Sequence, residues 1–257
     1  LFTANLDSMI YGSYLGGSGD DAAYSVKAED GIIVMAGGTT SDDFPVSTDV
    51  MVPTYLGGSS DGFILTLNSM GSIIKSTYTG TSDYDQVYFV DFGVNNTIFV
   101  AGQTTGDFTV TPNVYSNEGG TQFIQELDVD LSQNLRSTVF GTGGSNTDIS
   151  LTAFMVDICG HAYVSGFGTT NGLPVTPDAF QPTSQSNDFY FIVFETDFDD
   201  LLYATFFGGA TTSEHVDGGT SRFDDNGIIY QAVCVCGADF PVTEDAYATA
   251  SGGGCNL

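Results

Sequence analysis

Residues 40–49 read TSDDFPVSTD. Ser41, Asp42 and Asp43 have the character of a solvated turn, whereas Phe44, Pro45 and Val46 have the character of packed chain. This segment decides the fold, because it occurs four times. Residues 106–115 read GDFTVTPNVY, residues 171–180 NGLPVTPDAF and residues 238–247 ADFPVTEDAY. Phe44, Phe108, Leu173 and Phe240 share one column, Val46, Val110, Val175 and Val242 a second, and Asp49, Asn113, Asp178 and Asp245 a third. Pro45, Pro174 and Pro241 form a fourth column, in which the second copy has Thr109. Self-similarity at a fixed period is the signature of stacked structural repeats.

The period runs on into the flanking sequence. β-Branched and aromatic runs bounded by Gly and Asn read as strands. They begin at Gly31 (GIIVMAGGTT), Asn96 (NTIFVAGQTT), Gly160 (GHAYVSGFGTT) and Gly227 (GIIYQAVCVCG). The related runs YGSYLGG, KSTYTGT, RSTVFGT and YATFFGG begin at Tyr11, Lys75, Arg136 and Tyr203, at intervals of 64, 61 and 67 residues. DGFILTLN from Asp61, TQFIQELD from Thr121 and DFYFIVFETD from Asp188 supply a strand of mixed alternation, and pieces such as DDAAYSVKAED supply one more. Each unit of roughly 64 residues therefore carries about four strands and one proline loop, in units near 1–60, 61–120, 121–187 and 188–257.

No stretch sustains a helical period, so the chain is all-β. Four-stranded units of near-constant length point to a single β-propeller domain over residues 1–257. A right-handed β-helix is the main alternative, although its coils are usually shorter. Propellers close with about 4–8 blades. Leu1 aligns with Leu65 inside a strand, and Leu257 falls where another unit would start. The expectation is a part of a larger propeller.

With 41% hydrophobic residues among 257, the chain can bury a core. Its 33 Gly suit a turn-rich all-β protein. It has no apolar run long enough for a membrane span and no signal peptide, as expected of a sequence without its original N-terminus. The net charge is −28, from 32 acidic residues against Lys27, Lys75, Arg136 and Arg222. That excludes nucleic acid, which needs a cationic footprint, and electrostatic docking on anionic lipid. The acids cluster in turns. One reading is a solvated acidic surface; the other is divalent-cation binding, Ca²⁺ by its preference for oxygen ligands, with Asp20, Asp21, Asp83 and Asp85 as candidates. No EF-hand or nonapeptide Ca²⁺ pattern is present.

Four cysteines occur: Cys159, Cys234, Cys236 and Cys255. In the repeat frame Cys236 and Cys255 both lie near the proline loop, so a bridge between them would staple it. Cys159 has no counterpart at a matching position and is either free, paired with Cys234, or paired elsewhere. Zinc is disfavoured, since no second C-x₂-C or paired His accompanies the cysteines. Disulfides imply an oxidising, extracellular setting. His215 beside Glu214 and Asp217 is the one local His–acid cluster, and it occupies a turn position that is polar in other copies. His161 follows Cys159-Gly160 in a turn. Both read as satisfied or solvated turn histidines before they read as catalytic bases. Paired carboxylates would suit glycoside cleavage at a defined separation, but the chain has no Trp for sugar stacking, and most of its Tyr and Phe recur at strand positions.

The stretch from Tyr11 to Asp49, YGSYLGGSGDDAAYSVKAEDGIIVMAGGTTSDDFPVSTD, resembles the SBBP-type β-propeller repeat, and the resemblance covers nearly the whole chain. It is looser in the second unit, where YTGTSDYD replaces YLGGSGDD. From DICGHAYVSGFGTT onward the chain is similar to large Bacteroidota surface proteins. Those add PKD-like domains and a C-terminal sorting domain for type IX secretion, of the kind associated with gliding motility. The resemblance implies an extracellular, modular protein and supplies no catalytic residues. Two functions follow as expectations. The first is a non-enzymatic cell-surface module for adhesion, a surface layer or a filament, meeting other surface proteins, polysaccharide, copies of itself or further domains of its own chain. The second is a secreted glycosidase or lyase using an axial cleft.

Overall fold

The computed structural model describes residues 2–144, 146–168, 171–184, 187–211, 213–215, 221–224 and 228–255. Three antiparallel sheets of four strands follow one another along the chain. The first contains β1 (Asp21–Glu29), β2 (Ile32–Thr39), β3 (Asp61–Asn68) and β4 (Ile73–Thr79). The second contains β5 (Asp85–Phe92), β6 (Ile98–Thr104), β7 (Gln122–Leu127) and β8 (Asn134–Phe140). The third contains β9 (Ser150–Val156), β10 (Ala162–Gly168), β11 (Asp188–Phe194) and β12 (Leu201–Phe207). A fourth copy is represented by β13 (Glu214–His215) paired with β16 (Cys234–Val235), and β14 (Ser221–Phe223) paired with β15 (Ile229–Gln231). The described residues hold no α-helix, only a 3₁₀ turn at Val94–Asn96, and no helix long and apolar enough to cross a membrane.

Within every four-stranded sheet the strands lie in chain order. The sheets and the sequence units are out of phase. Each sheet takes its third and fourth strands from the unit that follows the one supplying its first two. The run YGSYLGG, read as a strand, is irregular chain, because no partner strand lies beside it among the described residues.

Successive sheets pack on each other's faces. Val34, Ala36 and Ile64 of the first sheet meet Val87, Ile98, Val100 and Phe123 of the second. Phe99, Ala101, Ile124 and Phe140, on the opposite face of the second sheet, meet Phe154, Val164, Ile192 and Phe194 of the third. The middle sheet is therefore covered on both sides. This explains why its second strand, β6, opens on the unbroken apolar run Ile98–Ala101 instead of alternating with polar residues. Both edges of each sheet carry a bulge. Tyr24, Tyr88 and Thr152 are the extra residues of β1, β5 and β9, and Ile74, Leu135 and Leu202 those of β4, β8 and β12. Bulges bend an edge and spoil it as a template for further pairing. Glycine is required opposite the first bulge. A Cβ on Gly102 would lie 2.2 Å from the Gln86 carbonyl, and one on Gly37 1.9 Å from that of Ala22.

The proline segment closes the other edge. Phe44 is buried and stacks on Phe63 at 4.5 Å, and Phe108 stacks on Phe123 at 4.1 Å. Leu173 is buried in the same column. Each loop then runs back along the fourth strand of its own sheet. Ser47 N–H donates to Ser76 O and Tyr78 N–H to Val52 O; Thr111 N–H to Ser137 O and Asn117 N–H to Val139 O; Thr176 N–H to Ala204 O and Phe206 N–H to Gln181 O. Pro45 has no N–H to donate, but β2 leaves its ladder at Thr39, ahead of it, and the second copy follows the same path with Thr109. The valine column is less uniform: Val46 and Val175 pack on the core, while Val110 and Val242 are exposed. The third column, of Asp49, Asn113, Asp178 and Asp245, makes turns without a helix. Thr176–Ala179 and Thr243–Ala246 close i to i+3, Asn113 takes φ 63°, and Asp49 instead pairs with Lys75.

Candidate functional site

The first strands of successive sheets, β1, β5 and β9, converge with β14 on a cavity of about 1200 Å³. Their edges face it because each proline loop covers the opposite edge. The bulges turn Tyr24 and Tyr88 toward each other, with ring centroids 5.1 Å apart. The Tyr88 hydroxyl lies 2.8 Å from that of Tyr84, and burial, helped by this contact, pushes the Tyr88 phenol far up. Lys27 and Arg222, two of the four cationic residues in the chain, are among the lining residues, with Phe154 and Phe223.

Of the three acids lining this cavity, Glu29 is exposed, and Asp91 and Asp157 are engaged in structure. Asp91 pairs with the Lys27 ammonium at 3.1 Å and accepts the Val156 N–H at 3.2 Å, so one carboxylate on β5 ties together three sheets. Asp157 closes the β9–β10 turn. It accepts the N–H groups of Cys159 and His161, the Tyr163 hydroxyl at 3.1 Å, and faces His161 Nδ1 at 2.9 Å. Burial alone would raise its pKa; hydrogen bonds from His161 and from backbone N–H groups outweigh that and hold it below the usual carboxylate range. A general acid for glycoside cleavage needs the opposite shift. Two of these hydrogen bonds recur at Asp224, which accepts the Ile228 N–H and the Tyr230 hydroxyl. There the sequence has neither Cys nor His at the corresponding positions. The Asp157 network is thus a property of the turn, with Cys159 and His161 added to it.

Asp20 and Asp21 stand at the entry to β1, and Asp83 and Asp85 at the entry to β5. Asp20 and Asp83 are exposed. Asp21 accepts Gly17 N–H and the hydroxyls of Ser41 and Thr39, and Asp85 accepts the N–H and hydroxyl of Thr81. Asp148 does the same for Thr142, and Glu214 accepts Gly209 N–H. One acid per copy therefore staples the turn ahead of the first strand. The described residues bring together two groups of three potential metal ligands, Asp157–Cys159–His161 and Cys234–Cys236–Cys255, and none of the four Ca²⁺ candidates belongs to either. In the second group two thiols are consumed: Cys236 and Cys255 form a disulfide, as the repeat frame suggests. Cys159 and Cys234 are both free thiols. His215 lies opposite Cys234 in the β13–β16 pair, and Asp217 falls outside the described residues.

Two groups carry no signal in the sequence that singles them out. Asp91 is one acid among many until the sheets are stacked. Asp61 is fully buried at the start of β3, and burial, with the Asp85 charge adding to it, raises its pKa to about 6. Its only trace in sequence is the column it shares with Thr121 and Asp188. No family model matches the chain, and neither does any curated protein.

Proposed function

We propose that the chain is a non-catalytic, extracellular cell-surface module, built as part of a β-propeller of SBBP-type repeats and carried to the surface by type IX secretion. Its rigid stacked sheets present loops and an axial cavity to other surface proteins, to polysaccharide or to copies of itself, in adhesion, a surface layer or a gliding-associated filament. The observation that carries this reading is the state of the cavity acids. Asp91 is neutralised by Lys27 and Asp157 is saturated by hydrogen bonds, which leaves neither as a general acid. The ordered succession of four-stranded sheets, packed face to face with their first strands on a common cavity, supports the propeller. The Cys236–Cys255 disulfide supports an oxidising location. The test is incubation of the purified chain with a panel of neutral and acidic polysaccharides, following both binding and release of reducing ends. Binding without cleavage, equal in wild type and Asp91→Asn, is the expected result. Turnover that disappears in Asp91→Asn would establish the glycosidase alternative.

A further inference from the structure

The turn between β9 and β10, inside the third sheet, gathers more chemistry than a turn needs. Gly160 N–H donates to Asp157 O at 2.9 Å and Asp157 N–H to His161 O at 3.1 Å, and Gly160, at φ 88°, completes the reversal. Asp157, Cys159 and His161 alternate along it. A carboxylate oxygen, the thiol sulfur and a ring nitrogen of these three residues lie within 4.8 Å of one another. The Asp157 carboxylate organises the group. Its Oδ1 accepts the N–H of Cys159 at 2.8 Å and of His161 at 2.9 Å, while Oδ2 faces His161 Nδ1 at 2.9 Å and accepts the Tyr163 hydroxyl at 3.1 Å. On the other side of the ring, His161 Nε2 faces Glu195 Oε2 at 3.4 Å. Thr196, next to Glu195, donates its hydroxyl to Cys159 O at 2.8 Å. The backbone carrying the thiol and the imidazole is therefore fixed from both hairpins of the sheet.

Local structure does not call for these side chains. At Asp224 two of the same hydrogen bonds form where the sequence has Asn226 and Ile228 at the positions of Cys159 and His161. Cys159 serves the turn through its backbone N–H and carbonyl, and its thiol is free and exposed. Thiolate, imidazole and carboxylate are the ligand types that Zn²⁺ draws on, and a thiolate is foreign to the hard cations Ca²⁺ and Mg²⁺. Bonds of about 2.0–2.3 Å hold the ligand atoms of a tetrahedral ion roughly 3–4 Å apart. The exposed Cys159 can close the remaining gap without displacing packed side chains. A metal-bound histidine usually donates its second N–H to a carboxylate, which fixes the ring and its tautomer. Glu195 already stands in that place. Cysteine spacing alone disfavours zinc in this chain; the fold supplies the ligands that the spacing lacks, from one carboxylate and one histidine of the same turn.

We propose that Asp157, Cys159 and His161 form a binding site for one Zn²⁺ ion, with Glu195 as the positioning residue for the His161 ring. The ion takes the place of the proton between Asp157 Oδ2 and His161 Nδ1, and Cys159 binds as the thiolate, its proton passing to solvent. The strong negative charge of the chain draws cations toward it in general, so the property that marks this site is its dependence on one thiol. The inference concerns metal uptake alone and holds whatever the axial cavity binds.

The full chain, stripped of metal and dialysed, is titrated with Zn²⁺ against a chromophoric chelator and with Co²⁺ by absorption spectroscopy. One equivalent of Zn²⁺ is expected to compete with the chelator. Co²⁺ is expected to give sulfur-to-metal charge-transfer absorption and the strong visible bands of a four-coordinate ion. Cys159→Ser should abolish the charge-transfer absorption, and both it and His161→Gln should weaken Zn²⁺ binding by about tenfold or more. Cys234→Ser, which removes the other free thiol among the described residues, should leave binding and spectrum unchanged. Cys159→Ser exchanges a single exposed atom, so it decides the question even where His161→Gln disturbs the fold, which circular dichroism checks. The proposal is overturned if the wild type shows no charge-transfer absorption, if that absorption survives Cys159→Ser or is lost in Cys234→Ser, or if Zn²⁺ uptake is the same in wild type and Cys159→Ser, as an acidic surface alone would give.

Discussion

Asp61→Asn should stabilise this protein at neutral pH and do little near pH 4. Asp61 and Asp85 lie side by side because Ser60 and Tyr84 bridge in parallel and Asp85 N–H donates to Ser60 O at 2.9 Å. Both are fully buried. Asp61 Oδ2 accepts Leu56 N–H at 2.5 Å, Asp85 Oδ2 accepts Thr81 N–H at 2.6 Å, and Oδ1 of each has no hydrogen-bond partner. Burial raises both carboxyls, Asp61 to about 6. The next junction shows the relieved arrangement. Thr121 occupies the Asp61 column, and its hydroxyl donates to the neighbouring Asp148, which Thr142 also satisfies.

The unfolded carboxyl titrates near 3.9, so the folded state holds its proton more tightly. The stability this proton supplies is complete below about pH 4, declines as pH rises, and is gone above about pH 6. A shift of about 2 units at about 1.4 kcal/mol per unit sets a ceiling near 3 kcal/mol. Asn keeps an oxygen for Leu56 N–H and removes the charge. The expected gain at pH 7.5 is about 1–3 kcal/mol, or roughly 3–10 °C in Tm for a chain of this size. Thermal melts of wild type and variant at pH 4.5, 6 and 7.5 and constant ionic strength measure it; acids other than Asp85, whose charge is coupled to Asp61, titrate alike in both proteins and cancel in the difference. An advantage that is equal at all three pH values, or absent at pH 7.5, refutes the reasoning.

Three further outcomes are expected. Phe108→Ala removes a buried ring stacked on Phe123 and should lower stability by about 3–5 kcal/mol in denaturant melts, whereas Val110→Ala, at an exposed site, should change it by less than about 1. Opening the Cys236–Cys255 bridge, which spans a sequence separation of 19, should cost about 3 kcal/mol and should speed amide exchange in the fourth sheet before the others. Because Asp21 and Asp85 already serve their own turns, Tm in excess EDTA should match that in millimolar Ca²⁺ within about 1 °C; a larger rise with Ca²⁺ would show that these acids coordinate it.

The strands, their number per repeat and the packed character of the proline segment were legible in the sequence, because they depend on local patterns. Phe44, Phe108 and Leu173 recur in one column, and all three are buried. The Cys236–Cys255 bridge was legible for the same reason: two positions close in the repeat frame are close in space. The roles of individual acids were not. Composition showed a net charge of −28 but could not tell Asp21, which staples a turn, from Asp91, which joins three sheets, or from Asp61, buried beside another carboxyl. Each role depends on partners about twenty or more residues away, or on a neighbouring sheet.

The sequence by itself determined the repeat and its strands, since β-propensity and glycine act within a few residues. Only the tertiary structure decided the phase of the repeat. A periodic sequence has no intrinsic start, and any four consecutive strands would serve equally as a unit. Hydrogen bonds chose β1–β4, β5–β8 and β9–β12, across the sequence boundaries at residues 60, 120 and 187. The same choice aligned the first strands on one cavity and placed the proline loop on the opposite edge.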